Sequence, residues 1–211
     1  MRELYVVRHG ESVANVERRF DSTPPGVPLT ARGVDQANRV AEWLLSRRLS
    51  PKTVYASPFR RTLETAVPFA DRIGARLLTY DELREVAVGA WDGRSSLTLA
   101  DDPHYLRWRL EPEVAPPGGE SLEDVWVRVH EVLAALYAAA PLEEPLILFT
   151  HQHTLRALLW HLSALRDQEG RLSPLPNAAI LHLQGTPDAL RLVSLDRSID
   201  EATGDSRRAA I

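Results

Sequence analysis

Polar side chains, most of them basic, stand at the ends of three short apolar segments, LYVV at residues 4–7, TVYAS at 53–57 and LILFT at 146–150. In chain order these side chains are Arg8 and His9, then Ser57, Arg60 and Arg61, and then His151, Gln152 and His153. Arginine presents planar, permanently charged donors that match the oxygens of a phosphate group. Gly10, directly after His9, would let a ligand approach the backbone. If the three ends meet in the fold, they form a site for a phosphate dianion.

Histidine adds the possibility of covalent chemistry at such a site. A neutral imidazole in line with a P–O bond can attack phosphorus, and the resulting phosphohistidine divides one difficult displacement into two easier ones. The arginines would stabilise the charge on the transferred group, a role that metal ions fill in other enzymes. The leaving oxygen needs a proton from a carboxylic acid. Glu85 is a candidate, because its apolar neighbours Leu83, Val86 and Val88 would raise its pKa.

Buried strands and helices must bring these residues together. The three apolar segments are typical of strands buried on both faces of a parallel sheet, and a helical pattern follows each. We predict helices after the first strand, over about 31–47, from Pro58 onward, within HYLRWRL at 104–110, from Ser121 with Asp124 as its capping partner, and over about 154–162. ARLLTY at 75–80, AILHL at 179–183 and LRLVSLD at 190–196 predict further strands. This order indicates an α/β fold, a three-layer sandwich with a mainly parallel central sheet flanked by helices and the active site at the carboxyl ends of the strands.

Composition excludes several classes of protein. The 211 residues carry a net charge of -4, which gives no general attraction to nucleic acid or to an anionic membrane. The absence of cysteine excludes disulfides, thiolate metal sites and a cysteine nucleophile. No apolar run approaches the roughly 20 residues of a membrane span, and no signal-peptide pattern opens the chain, so we predict a cytoplasmic protein. We predict one catalytic domain over 1–196, in which 92–119 form a lid or specificity segment, and a polar tail over 197–211.

Five motifs in order carry a resemblance to a known family: RHGES, SPFRRTLETA, LREVAVGAWDG, GGES, and TH after a buried strand. The sequence resembles the histidine phosphatase superfamily, and within it the phosphoglycerate-mutase-like branch of cofactor-independent phosphatases, from Glu3 to about Leu195. Arg60 is out of register with the family motif, so Arg61 is the arginine implied. The resemblance implies no cofactor and no metal. The site residues that it implies are His9 as nucleophile, Glu85 as proton donor, His151 as a catalytic and phosphate-binding residue, and Arg8, Asn15 and Arg61 as further phosphate ligands.

The sequence departs from the family at places that border the predicted pocket. Gln152 and His153 stand where relatives usually have glycine-rich sequence, and these larger side chains would narrow the pocket rim or change its charge. RFDSTPPGVPLT replaces the glycine-containing substrate loop of many relatives, and we assign Ser22 and Thr23 there, together with Gln152, to substrate binding. VAVGAWDG replaces the basic and aromatic residues that true mutases carry after their acid. This difference favours water over a second phosphate ester as the acceptor.

These observations predict a metal-independent phosphomonoesterase that hydrolyses a small phosphorylated metabolite, as a monomer or homodimer. A phosphoglycerate-mutase-type phosphoryl mutase and a non-catalytic phospho-ligand binding protein on the same fold stay open as alternatives. His151 and His153 could also form an HxH metal pair, although no carboxylate of suitable spacing lies nearby. Sugar phosphates, phosphoglycolate-like acids and nucleotide-derived phosphates are all possible substrates. An acidic substrate is favoured by the basic residues of the predicted lid, which are Arg94, Arg107 and Arg109.

Overall fold

Six strands form one sheet within the part of the chain that the computed structural model describes, residues 1–162 and 175–201. The strands are β1 (Arg2–Arg8), β2 (Thr53–Ala56), β3 (Arg76–Thr79), β4 (Leu146–Thr150), β5 (Ile180–Thr186) and β6 (Ala189–Asp196). Their order across the sheet is β3-β2-β4-β1-β5-β6. The first four in this order are parallel, whereas β5 pairs antiparallel with both β1 and β6. The predicted mainly parallel sheet is confirmed, and the carboxyl ends of β1, β2 and β4 lie side by side.

Helices cover both faces of this sheet, which confirms the predicted three-layer sandwich. The helices are α1 (Val13–Val16), α2 (Ala31–Ser46), α3 (Arg60–Ile73), α4 (Pro103–Leu110), α5 (Leu122–Ala139), α6 (Gln152–His161) and α7 (Ser198–Glu201). On one face α2 packs against α3, and on the other α5 packs against α6. The two layers enclose separate hydrophobic cores, because successive side chains of a strand point to opposite faces. Tyr5 and Val7 of β1 lie in the core under α2 and α3, whereas Leu4 and Val6 lie in the core under α5 and α6.

Three helix boundaries near the sheet edge differ from the sequence prediction. α1 has four residues, because the chain turns at Arg18, whose φ is 51°. α3 begins at Arg60 rather than at Pro58, since Phe59 is still extended and caps the helix. α6 begins at Gln152, directly after His151. The capping box of Ser121 and Asp124 at the start of α5 is confirmed. These starts set Arg61 and Gln152 in the first turns of α3 and α6, next to the strand ends.

The segment between β3 and α5 is folded without strands. It contains three short 3₁₀ helices, Asp81–Leu83, Gly89–Trp91 and Ser96–Leu99, and then α4. Trp91 and Trp108 of this segment pack edge to face with ring centroids 5.6 Å apart, and Phe20, from the loop after α1, packs edge to face on Trp108 at 6.0 Å. Such aromatic pairs stabilise a surface segment beyond the area they bury. The aromatic cluster therefore fixes the segment predicted as a lid over the carboxyl edge of the sheet.

The polar tail predicted over 197–211 lies mostly outside the described residues, although its start contributes α7. Across residues 1–162 and 175–201, no helix combines the length and apolar character needed to cross a membrane.

Candidate active site

His9 lies directly after β1 and is almost fully buried, with 2% of its surface exposed. Its Nδ1 is 2.7 Å from the carbonyl oxygen of Gly10, and its Nε2 is 3.1 Å from Nε of Arg61. A carbonyl only accepts and a guanidinium only donates, so Nδ1 carries the proton and Nε2 presents a lone pair. Burial, with the nearby charges of Arg61 and then Arg8, holds the pKa of His9 well below its ordinary value. The ring is therefore neutral near pH 7, with its nucleophilic nitrogen aimed at the arginine.

Arg61 lies at the centre of the site and contacts four other side chains. Besides donating to His9, its Nη1 forms an ion pair with Asp21 Oδ2 at 2.7 Å, and its Nη2 donates to the Asp21 carbonyl at 3.0 Å and to His151 Nδ1 at 3.2 Å. Its guanidinium carbon also lies 4.5 Å from the centre of the Phe59 ring. Arg60, the neighbouring residue, is exposed and pairs with Glu64 at 2.7 Å. Of the two adjacent arginines, Arg61 is thus the one that the fold brings to His9.

His151 follows β4 and is completely buried beside His9, with ring centroids 5.2 Å apart. Its Nδ1 accepts from Arg61, so Nε2 carries the ring proton and donates to Ser57 Oγ at 2.8 Å. Burial, followed by the charge of Arg61, holds the pKa of His151 well below its ordinary value. The ends of β1, β2 and β4 therefore meet through side-chain contacts, as the three apolar segments predict.

Arg8 and Asn15 complete the group of residues expected to bind phosphate. Both line the cavity above His9. Arg8 is buried, and its Nη1 donates to the carbonyl of Leu175. Asn15 Oδ1 accepts from the Ser12 backbone at 3.0 Å and from Asn177 Nδ2 at 2.9 Å. Because this oxygen is engaged, the group that Asn15 can offer a phosphate oxygen is its NH₂, a donor.

Glu85 lines the same cavity, but its pKa is shifted in the direction opposite to the sequence prediction. Burial alone raises the pKa of this carboxyl, as its apolar neighbours led us to expect. The charge and hydrogen bond of His153 oppose burial, with help from His151 and from the Val86 N–H at 2.9 Å, and hold the pKa well below the ordinary value. The prediction of a raised pKa is wrong, because it considered sequence neighbours and not the side chain 68 positions away. Glu85 is a carboxylate in the resting site.

His153 and Gln152, the departures from the family pattern, both line the cavity. Oε1 of Glu85 lies 3.3 Å from Nδ1 of His153 and 3.3 Å from its backbone nitrogen. The His153 ring stacks on Trp108, with centroids 5.0 Å apart and an interplanar angle of 27°. His153 thus lies between the predicted proton donor and the predicted lid.

Two residues near the site have roles other than those expected. Gly10 does not leave space for a ligand: a Cβ at this position would lie 2.5 Å from the carbonyl oxygen of Gly33, so the glycine permits close packing against α2. Thr23, predicted to bind substrate, is exposed outside the cavity lining, and its hydroxyl donates to Asp92 at 2.9 Å. Ser22 lines the cavity and also donates to Asp92, at 2.9 Å. Ser22 and Thr23 therefore fasten this loop to the start of the predicted lid.

The outer wall of the cavity comes from α4 and α6. Its aromatic residues are Tyr105, Trp108 and Trp160, and Phe20 joins them from the loop after α1. Arg109 and Arg156 also line it, and burial followed by the charge of Arg109 lowers the pKa of Arg156 to about 10, so Arg156 is charged near neutral pH. Arg107, in contrast, lies on the surface and pairs with Glu111 at 2.8 Å, and Arg94 is exposed.

Sequence reasoning missed Asp21 as the partner of Arg61 and missed Arg156 altogether. Arg156 follows Gln152 by four positions, one helical turn, so the helix period could have indicated that both residues face the cavity. Nothing local could have indicated the contact between Asp21 and Arg61, which are 40 positions apart.

Ring nitrogens of the two histidines in the predicted HxH metal pair contact other groups. His151 contacts Ser57 and Arg61, and Nδ1 of His153 faces Glu85. Within the ranges 1–162 and 175–201, no group of three or more histidine, cysteine, aspartate or glutamate side chains is arranged to hold a metal ion.

The sequence is similar to known proteins along most of its length. The family described as "Histidine phosphatase superfamily (branch 1)" matches residues 4–197. Glucosyl-3-phosphoglycerate phosphatase of Mycolicibacterium vanbaalenii is 33% identical over 194 residues, which cover 88% of this chain and 85% of that protein. A probable phosphoglycerate mutase GpmB of an Enterobacter species is 36% identical over 137 residues, 64% of this chain and 62% of that protein. A solved structure of mycobacterial glucosyl-3-phosphoglycerate phosphatase with VO3 is 31% identical, with a TM-score of 0.80, over 92% of this chain and 98% of that one.

Proposed function

Because this chain belongs to the histidine phosphatase superfamily, we propose that this phosphatase hydrolyses a small phosphorylated metabolite through a phosphohistidine on His9. The observation that carries the proposal is the state of the His9 ring. Gly10 holds the proton on Nδ1 and burial beside Arg61 keeps the ring neutral, so Nε2 carries a lone pair and no proton near pH 7, and Nε of Arg61 donates to it in the resting site. An unprotonated nitrogen in a cationic pocket is what attack on a phosphate ester requires.

In the first step, Nε2 of His9 forms a bond to phosphorus while the P–O bond to the alcohol breaks. Arg8 and Arg61, with the NH₂ of Asn15, bind the oxygens of the transferring group and stabilise their charge. His151 supports this arrangement through its contact with Arg61. In the second step, water attacks phosphorus, the N–P bond breaks, and inorganic phosphate leaves.

Glu85 moves the proton in both steps of the proposed reaction. It gives a proton to the leaving oxygen first and takes one from the attacking water afterwards. A carboxylate with a low pKa is ready for the second task, since it is already ionised. For the first task it must acquire a proton before the alcohol leaves.

We propose that the substrate carries a second anionic group besides its phosphate. Arg109 and Arg156 both line the cavity; Arg109 is exposed, with its guanidinium carbon 5.8 Å from the centre of the Tyr105 ring, and Arg156 is half-buried. The similar proteins named for glucosyl-3-phosphoglycerate and phosphoglycerate act, by those names, on phosphate esters that also bear a carboxylate. A phosphorylated organic acid is therefore the substrate class that these arginines favour.

We propose that residues 1–196 form one catalytic domain, in which 92–119 are the lid that selects the substrate. Tyr105, Trp108 and Arg109 of this segment line the cavity, which supports that role.

Turnover in excess EDTA tests the proposal, measured on p-nitrophenyl phosphate and a panel of metabolite phosphates. His9→Ala should lower kcat by roughly 10³-fold or more, because it removes the nucleophile. His130→Ala is the matched control, since His130 is a surface histidine that contacts Asp188 at 3.0 Å. The wild-type protein should also yield an acid-labile, base-stable phosphoenzyme. Unchanged turnover by His9→Ala would refute the mechanism, and phosphate binding without phosphoenzyme or turnover would favour the non-catalytic alternative.

The mutase alternative rests on the similarity to the probable phosphoglycerate mutase. It uses the same phosphohistidine but transfers the phosphoryl group to a second ester instead of water. Incubation with 3-phosphoglycerate and a trace of the bisphosphate primer separates the two. Release of inorganic phosphate supports hydrolysis, whereas isomerisation with little free phosphate would establish the mutase.

A further inference from the structure

We propose that His153 is a positioning residue that acts through Glu85 and holds the proton that the reaction moves. This inference rests on the proposed function, because it assigns the proton of the phosphohistidine mechanism to a carboxylate–imidazole pair rather than to Glu85 alone. Imidazole is the side chain that exchanges protons near neutral pH. A histidine next to an ionised catalytic acid can therefore supply what that acid lacks.

The contact between the two side chains is direct. Oε1 of Glu85 lies 3.3 Å from Nδ1 of His153, and the same oxygen accepts from the Val86 N–H at 2.9 Å and lies 3.3 Å from the His153 backbone nitrogen. The contact with the His153 backbone nitrogen places the carboxylate on the first turn of α6, and the Val86 N–H holds it from its own loop. The ring is fixed from its other side, since it stacks on Trp108 at 5.0 Å. Glu85 and His153 are thus held as a pair, and both line the cavity where the ester must sit.

The charges around the pair determine where its proton resides. Several titratable and charged groups of the surrounding elements face the pair. They are His9, Arg61, Arg109, Arg128, His151 and Arg156. Four of these are arginines, which favour the ionised form of Glu85. Glu85 is therefore the ionised member of the resting pair, and we assign the proton to the imidazole beside it. When negative charge develops on the leaving oxygen, the balance reverses and the proton can move through Glu85 toward it.

The proton balance closes over one turnover. In the first step the N–P bond forms on His9 and the P–O bond to the alcohol breaks. The alkoxide then takes the proton of the pair through Glu85, which leaves the imidazole of His153 neutral. In the second step water attacks, the N–P bond breaks, and the proton of the water passes through Glu85 back to His153. No metal, oxidant or further reactant enters this sequence of steps.

The variant His153→Gln tests the proposal when its kcat is measured on esters with different leaving groups. An alkyl phosphate needs a proton on its leaving oxygen, whereas p-nitrophenolate leaves without one. We expect kcat for the best alkyl ester of the panel to fall by about 10-fold or more, and kcat for p-nitrophenyl phosphate to change by less than about 3-fold. We also expect the alkaline limb of the pH profile for the alkyl ester to move to lower pH, because Glu85 must then hold the proton by itself.

His161→Gln is the matched control, because His161 is on the same helix and faces a carboxylate, Glu123 at 3.1 Å, outside the cavity. This variant should change neither the kcat for either ester nor the pH profile. If His153→Gln lowers kcat equally for both esters and leaves the alkaline limb of the pH profile in place, the role of His153 is purely structural and the inference is overturned. Failure of the wild-type protein to form phosphoenzyme or hydrolyse any ester is a different result, which refutes the proposed function itself.

A measurement on the wild-type protein avoids any question of whether the variant folds. Ring ¹⁵N shifts of His153 and the side-chain ¹³C shift of Glu85 can be followed by NMR across the pH range of activity. A shared proton requires both signals to report the same titration. Titration of the His153 ring with no response at Glu85 would contradict the pair.

Discussion

Nε of Arg61 donates to Nε2 of His9 across 3.1 Å, and both side chains are buried. The same guanidinium reaches Asp21 and His151, so one residue orients the nucleophile and connects it to the loop after α1 and to the end of β4. A planar group with donors in fixed directions can make these contacts together, which a single ammonium cannot do. The geometry of the site therefore depends on the shape of Arg61 as well as on its charge.

Arg61→Lys should lower kcat/KM by about 10²-fold, although it conserves the positive charge, because lysine cannot hold His9, Asp21 and His151 at once. Steady-state kinetics on p-nitrophenyl phosphate measure the effect. Arg60→Lys is the matched control, since Arg60 is the adjacent residue, is exposed, and pairs only at the surface with Glu64. Equal activities of the two variants would show that charge alone matters at position 61.

Ser57→Ala should reduce stability through His151. The Ser57 hydroxyl accepts from Nε2 of His151 at 2.8 Å, and loss of that acceptor leaves a fully buried N–H without its partner. We expect the free energy of unfolding to fall by about 1–3 kcal/mol, measured by urea denaturation. Ser46→Ala removes an exposed hydroxyl at the end of α2 and should cost less than about 0.5 kcal/mol. Ser57→Thr, which keeps an acceptor, should recover part of the loss, and full stability of Ser57→Ala would argue against the contact.

The free energy of unfolding should fall as the pH falls below 6.5, the ordinary pKa of histidine. The folded-state pKa values of His9 and His151 are both well below that value, so below pH 6.5 the unfolded chain binds protons that the folded chain does not. Stability is therefore greatest above 6.5 and decreases as the pH falls through and below that value, with a contribution from each of the two histidines. Glu85, whose pKa is also lowered, adds a further loss at more acidic pH, below its ordinary value of 4.5.

Urea denaturation at pH 7.5, 6.5 and 5.5 measures this dependence. His9→Gln removes one of the two groups and should make the slope between 6.5 and 5.5 shallower. A free energy of unfolding that does not change across this range would contradict the shifted pKa values.

Arg156→Met should raise KM for phosphate esters that carry a carboxylate by about 10-fold or more, because a charged hydrogen bond to the substrate is lost. KM for p-nitrophenyl phosphate, which has no second anionic group, should change by less than about 3-fold. Arg72→Met on the exposed face of α3 serves as the control. A similar increase in KM for both kinds of ester would indicate that Arg156 supports the cavity without selecting the substrate.

The sequence predicts the layers of the fold and the strand ends well, because these depend on short-range patterns. Continuous apolar runs mark β1, β2 and β4, and the capping box of Ser121 and Asp124 marks the start of α5. Each pattern is complete within a few residues. The residues that follow β1, β2 and β4 then had to meet, since the carboxyl ends of adjacent parallel strands share one edge of the sheet.

The tertiary structure alone decides which side chains become partners across that edge. The pKa of Glu85 is lowered rather than raised, Thr23 faces Asp92 rather than the cavity, and Gly10 packs against Gly33. None of these partners is a close neighbour in the sequence. Their distances depend on how the loops and α6 close over the sheet, and the energies of charges and hydrogen bonds change steeply with such distances. The sequence therefore determined which chemistry is available at the strand ends, whereas only the folded chain decided the protonation and the partners of each group.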